Sequence, residues 1–89
     1  MTRPWEADPS AVMARRLGKS PVELGNTDKV SGCPDVWELD NGDIAVIGRD
    51  LTSSYEPRLP DGVKIAGDER LVVLPRNVLV AAKPDIPDA

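Results

Sequence analysis

The stretch DVWELDNGDIAVIGRDL, residues 35–51, decides the fold, because two apolar runs flank the dipeptide Asn41-Gly42. Asn-Gly between alternating apolar residues is a strong hairpin signal, since both central residues of a type I′ turn need a positive φ. The pattern therefore predicts a β-hairpin over residues 35–50. A two-residue or a four-residue loop gives the same strand pairing. Either loop places four apolar side chains together on the core face: Trp37, Leu39, Ile44 and Val46.

The composition predicts a small single domain with an aliphatic core. The chain has 89 residues, no Phe, one Tyr and two Trp. A chain of this size buries only a modest core. We expect an α+β fold, in which one or two short helices accompany a small antiparallel sheet of three or four strands. Residues 1–7 are expected to form a flexible N-terminal arm and residues 84–89 a flexible C-terminal tail.

The segments around the hairpin suggest further elements. Residues 8–18 predict a first helix, with Asp8 as N-cap, Pro9 at the first helical position and Gly18 as its stop. Residues 69–74 predict a further strand, and its apolar run at residues 71–74 is typical of a central strand. Pro60-Asp61-Gly62 predicts a turn within the long connection 52–68.

Residues 76–82 leave two alternatives open. The β-branched Val78 and Val80 favour a strand, whereas Ala81, Ala82 and the preceding Pro75 favour a helix. Of the two, the helix is slightly preferred for residues 76–82.

The residue inventory argues against most catalysis. The chain contains no His, which removes the commonest general base and zinc ligand. Cys33 is the only cysteine, so no internal disulfide is expected, and Cys33 is interpreted as a structural thiol. We therefore expect a protein that is not an enzyme and holds no metal or cofactor. The acids of the hairpin do not have calcium-loop spacing and are interpreted as a solvated face: Asp35, Glu38, Asp40, Asp43 and Asp50.

Charge and hydropathy bear on location and partners. The net charge is −4, and residues 35–89 carry six basic and eleven acidic side chains. An acidic body disfavours a large nucleic-acid interface. Without a long apolar run or a signal-like N-terminus, we expect a cytoplasmic protein that does not contact a membrane.

Five residues are candidate partner contacts. Trp5 lies in the predicted arm, where an aromatic side chain could anchor on this domain or in a partner's groove. Arg15, Arg16 and Lys19 form a basic patch at the end of the predicted first helix. Arg76 is a further basic candidate.

Two resemblances extend this interpretation. GCPDVWELDNGDIAVIGRDLT with ERLVVLPRNVLVAAKP resembles a class of small uncharacterised actinobacterial proteins, over residues 32–83. That resemblance implies no established activity, although such proteins are often encoded near regulatory helix-turn-helix genes, which is a hint of regulation. RLVVLPRNVLVAA is also similar to a segment of the DNA-binding, dimeric AbrB-type regulators and antitoxins, from which the acidic balance and the long 52–68 connection depart.

The sequence thus predicts a non-catalytic, regulatory protein-interaction module. Its partner is expected to be another protein, with a homodimer among the options, because a hairpin can offer an open edge. The alternative is a nucleic-acid-binding accessory or antitoxin-like regulator.

Overall fold

The predicted α+β class is confirmed by a computed structural model of the chain, which describes residues 4–27 and 34–86. A three-stranded antiparallel sheet has the order β1-β2-β3, and β4 and β5 form a second, two-stranded sheet. The strands are β1 (Met13–Arg16), β2 (Asp35–Leu39), β3 (Ile44–Ile47), β4 (Arg49–Asp50) and β5 (Val72–Val73). The α-helices are α1 (Thr52–Tyr55) and α2 (Arg76–Ala82), and each is followed by a 3₁₀ turn, Glu56–Arg58 and Lys83–Asp85.

The hairpin exists as predicted, but its loop has three residues. The N–H of Gly42 donates to the carbonyl of Leu39 at 3.0 Å, and the N–H of Leu39 donates to the carbonyl of Asp43 at 2.8 Å. These bonds define a type I turn followed by a glycine bulge, in which only Gly42 needs a positive φ, here +90°. Asn41 avoids the left-handed conformation that a two-residue loop would impose on it.

This loop shifts the strand register by one residue, so the predicted shared face is wrong. Glu38 pairs with Ile44, and Val36 pairs with Val46. Because side chains alternate along a strand, a shift of one residue moves one strand's apolar set to the other face. Ile44 and Val46 accordingly share a face with Val36, which packs on α2. Trp37 and Leu39 lie on the opposite face with Ala45.

The first helix predicted over residues 8–18 is also wrong, because Met13–Arg16 form the edge strand β1. Asp8 makes a local turn, in which its carboxylate accepts hydrogen bonds from the hydroxyl and N–H of Ser10 at 2.6 and 2.9 Å. Those bonds lower the pKa of Asp8. A helix of ten residues is marginal alone, whereas pairing with β2 supplies a backbone ladder.

Residues 69–74 form less strand than expected, and the strand is not central. β5 has two residues and pairs only with β4 among the described strands, Arg49 opposite Val73 and Asp50 opposite Val72. Both valines of β5 are exposed. The continuous apolar run therefore reflects a short surface pair rather than a strand buried on both faces.

The connection 52–68 contains structure that the sequence did not predict. Thr52 begins α1, and its buried hydroxyl accepts the N–H of Leu71 at 2.8 Å. Asp50 accepts the N–H of Thr52 at 3.0 Å, and hydrogen bonding to Thr52 lowers the pKa of Asp50. The predicted turn at residues 60–62 is confirmed, because the N–H of Val63 donates to the carbonyl of Pro60 and Gly62 has φ +85°.

The helical alternative for residues 76–82 is confirmed by α2, which completes a small core. Its residues Val78 and Ala82, one helical turn apart, pack against Leu17 and Val36. Burying a Val or Leu side chain stabilises the fold by about 1.5–3 kcal/mol. With four buried apolar residues in the described chain, the domain depends strongly on this single contact between sheet and helix.

Gly18 allows the chain after β1 to approach the backbone of α2. A Cβ added at Gly18 would lie 2.7 Å from the carbonyl carbon of Ala81 and from the nitrogen of Ala82. Gly18 also has φ +76°, and its N–H donates to the carboxylate of Asp85 at 2.8 Å. Both the backbone conformation and the lack of space therefore require glycine at this position.

We expect Gly18→Ala to destabilise the protein by at least about 3 kcal/mol, because the clash with α2 adds to the strain of a left-handed alanine. Gly25→Ala is the matched control, since Gly25 has φ +75° but nothing near its added Cβ. The control should cost about 1–2 kcal/mol. Urea unfolding of both variants measures the difference, and equal losses would contradict the close approach to α2.

Candidate interaction surface

The outward side of α2 carries an uncovered apolar stripe. Leu79 and Val80 are 52% and 60% exposed, although they lie on the same helix as the buried Val78 and Ala82. Leu74 before the helix and Ile86 after it extend the stripe, and together these residues line a shallow groove of about 590 Å³. Contiguous exposed apolar surface of this kind is typical of interaction sites. We call the stripe, with the two basic residues described next, the α2 surface.

A basic side chain stands at each end of the stripe. Arg76 begins α2 and Lys83 follows its last residue, and both line the same groove. Seven residues at a rise of about 1.5 Å each separate them by roughly 10 Å along the helix axis. Within the described part of the chain, neither cation has an ion-pair partner. The α2 surface is thus apolar in the middle and positive at both ends, on a chain of net charge −4.

The guanidinium group of Arg16 is used inside the domain. Its Nε and one terminal nitrogen donate to the two carboxylate oxygens of Asp35, each at 2.9 Å. Its central carbon also lies 5.0 Å from the ring centre of Trp37, a cation–π contact. The hydrogen bond to Asp35 raises the pKa of Arg16. Trp37, predicted as a core residue, is half-buried on the face opposite α2 and packs under this arginine.

Arg15 is also engaged, whereas Lys19 is exposed. The Nε of Arg15 donates to Glu38 at 3.1 Å, and a terminal nitrogen donates to the carbonyl of Asp85 at 2.6 Å. The predicted basic patch therefore does not form at a helix end: two of its three side chains join β1 to β2 and to the turn after α2. Hydrogen bonds with Ser20 are the main cause of the lowered pKa of Glu23, and the positive charge of Lys19 makes a smaller contribution.

The segment around Trp5 lies against the domain without being buried in it. The indole Nε1 donates to the carboxylate of Asp43 at 3.3 Å, yet the side chain is 62% exposed. The segment also faces residues 65–71 across an open cleft of about 690 Å³. Trp5 thus contacts its own domain and leaves most of its ring available.

The acids of the hairpin lie apart in the described chain. Asp35 is buried against Arg16, Asp40 accepts the N–H of Val12, and Asp50 accepts the N–H of Thr52. Residues 4–27 and 34–86 contain no group of three potential ligands that could hold a metal ion. None of the helices described there is long and apolar enough to cross a membrane. Cys33 lies outside the described residues.

Sequence reasoning found Arg76 but missed the rest of the α2 surface. The signal was present once a helix is assumed, because positions 76, 79, 80 and 83 recur at spacings of three and four residues. Because the sequence left residues 76–82 open between a helix and a strand, this periodicity could not be used. The exposed apolar side chains of β3 were missed because the sequence assigned Ile44 and Val46 to the core, whereas they lie on an edge strand that no other described strand covers.

Comparison with known proteins gives no relative: no family model, no curated protein and no solved structure matches this chain.

The Arg16–Asp35 pair should contribute more to stability than the Arg15–Glu38 pair. The side chain of Asp35 is 10% exposed, and its two-point contact is better formed than the single contact of Glu38. We expect Asp35→Asn to lower the free energy of unfolding by about 1–3 kcal/mol. Glu38→Gln, the matched control, should cost at most about 1 kcal/mol. Chemical denaturation followed by Trp fluorescence tests this, and a costlier Glu38→Gln would refute the ranking.

Proposed function

We propose that the protein is a non-catalytic, cytoplasmic protein-interaction module with a regulatory role, and that its α2 surface binds an acidic amphipathic segment of another protein. The observation that carries the proposal is the exposed Leu79–Val80 pair with a cation at either end. A partner segment with apolar side chains between two carboxylates would satisfy both parts of this surface. Helix-in-groove recognition has this form.

The geometry of α2 suggests the spacing in the partner. Arg76 and Lys83 are roughly 10 Å apart along the helix axis, which equals two turns of a partner helix. Carboxylates at positions i and i+7 would reach the two cations, while apolar residues at i+3 and i+4 would meet Leu79 and Val80. The apolar contact would supply most of the affinity, and the exposed charges would supply the choice of partner.

The internal ion pairs favour this proposal over nucleic-acid binding. The guanidinium groups of Arg15 and Arg16 already bind Glu38 and Asp35, so a phosphate would have to compete for them. The remaining candidate cations, Lys19 and Arg76, belong to a chain with an acidic balance. The sequence also has no His, the commonest general base, which supports a role other than catalysis.

A labelled peptide of about 15 residues tests the proposal, carrying Glu-Ala-Ala-Leu-Leu-Ala-Ala-Glu within a helix-forming sequence. We expect a Kd of at most about 100 μM by fluorescence anisotropy, and binding at least tenfold weaker when both Glu are replaced by Lys. Leu79→Glu should abolish binding, because it places a charge in the apolar stripe. Val63→Glu, at an exposed valine that does not line the groove, should leave binding unchanged.

A charge exchange makes the test specific. Arg76→Glu/Lys83→Glu should reverse the preference, so that the Lys peptide becomes the tighter ligand. Failure of the Glu peptide to bind, or indifference to its charge, would overturn the proposal. Tight, salt-sensitive binding of duplex DNA in the same assay, lost in this double variant, would instead support the nucleic-acid alternative.

A further inference from the structure

A second surface lies at the free edge of β3, and its backbone direction follows from the hydrogen bonds of the sheet. The carbonyl of Val36 accepts the N–H of Leu17 at 2.9 Å, so Val36 bonds towards β1. In an antiparallel pair, the residue opposite Val36 then bonds away from β2. Val46 is that residue, and Ile44 has the same direction two positions earlier. No other described strand pairs with β3 along this edge.

The edge is apolar and lacks the features that usually block strand addition. Ile44, Val46 and Ile47 are 40–47% exposed, and the four residues of β3 include no charge and no proline. Natural edge strands are generally protected by charged residues, proline or bulges. β1, at the other edge of the sheet, has an irregular register between Met13 and Arg15 and carries two arginines.

We infer that β3 pairs with β3 of a second copy of this chain, antiparallel about a two-fold axis through Val46. The two Val46 residues then exchange backbone hydrogen bonds, and Ile44 lies opposite Gly48 of the second copy. This register also places Asp43 opposite Arg49 of the second copy, twice by symmetry. Moving the two-fold axis by one residue, to Ala45 or to Ile47, loses this match of charges. With the axis at Ala45, Asp43 lies opposite Ile47. With the axis at Ile47, Ile44 lies opposite Asp50.

Gly48 lies at the end of this edge, where the chain's own atoms fill the space beside it. A Cβ at Gly48 would lie 2.7 Å from Cδ2 of Leu74 and 2.7 Å from the carbonyl oxygen of Val73. Ile44 of the second copy would meet the side chain of Leu74 at this position, on the face of the sheet that carries α2. The match of Asp43 with Arg49, formed twice by symmetry, therefore favours a second copy over an unrelated strand.

Analytical ultracentrifugation from about 1 to 500 μM tests the dimer, and we expect a Kd in the micromolar range, because an edge of this length buries a small interface. Val46→Lys should raise the Kd at least tenfold, and the matched Val63→Lys should leave it within twofold. Arg49→Asp and Asp43→Arg should each raise the Kd several-fold, and the double exchange should restore it to within about threefold of the original value.

Amide hydrogen exchange locates the contact. Exchange of the Ile44 and Val46 amides should slow at least fivefold from low to high protein concentration, whereas the Ala45 and Ile47 amides, bonded within the hairpin, should not change. A monomer at every concentration would overturn the inference, and so would a dimer that leaves the Ile44 and Val46 amides unprotected. If Leu79→Glu abolished the dimer and Val46→Lys did not, the contact would lie on α2, and the inference would be overturned. None of these outcomes depends on peptide binding, so the proposed function is tested separately.

Discussion

The three-residue loop that ends in Gly42 is the constraint on which the rest of the structure depends. By taking the one positive φ of the turn, Gly42 sets the register of β2 against β3. The register places Val36 on the face that meets α2, where four residues form the buried core. It also directs the backbone of Val46 outward. The core contact of Val36 and the direction of the β3 edge are therefore consequences of one turn conformation.

Part of this fold was predictable because its signals are local. Asn41-Gly42 marks the hairpin, and Pro75 with Ala81-Ala82 indicates α2. Residues 8–18 misled because Asp8, Pro9 and Gly18 match the caps of a helix, yet Asp8 and Gly18 have other uses. Asp8 closes a local turn, and Gly18 lets the chain pass α2. The bonds from Arg16 to Asp35 and from Arg15 to Glu38 form across 19 and 23 residues, a relation that a local pattern does not contain.

The same long-range contacts explain why the candidate site was found only in part. Arg15 and Arg16 look like a free basic patch in sequence, but the fold uses them to hold β1 in place. The surfaces left uncovered, the α2 surface and the edge of β3, consist mostly of aliphatic residues, and sequence reasoning had assigned two of them, Ile44 and Val46, to the core. Thirteen large apolar side chains are exposed in the described chain, against four buried apolar residues. This imbalance is the physical basis for proposing that the domain functions by being bound.

The register of the hairpin is the claim on which the core contact of Val36 and the free edge of β3 depend, and cross-strand contacts between Hα protons in a nuclear Overhauser spectrum test it most directly. Such contacts are strong in non-hydrogen-bonded antiparallel pairs, whose Cα atoms are about 4.5 Å apart. The structure predicts them between Glu38 and Ile44 and between Val36 and Val46. Contacts between Leu39 and Ile44 and between Trp37 and Val46 would establish the two-residue loop instead and contradict the account.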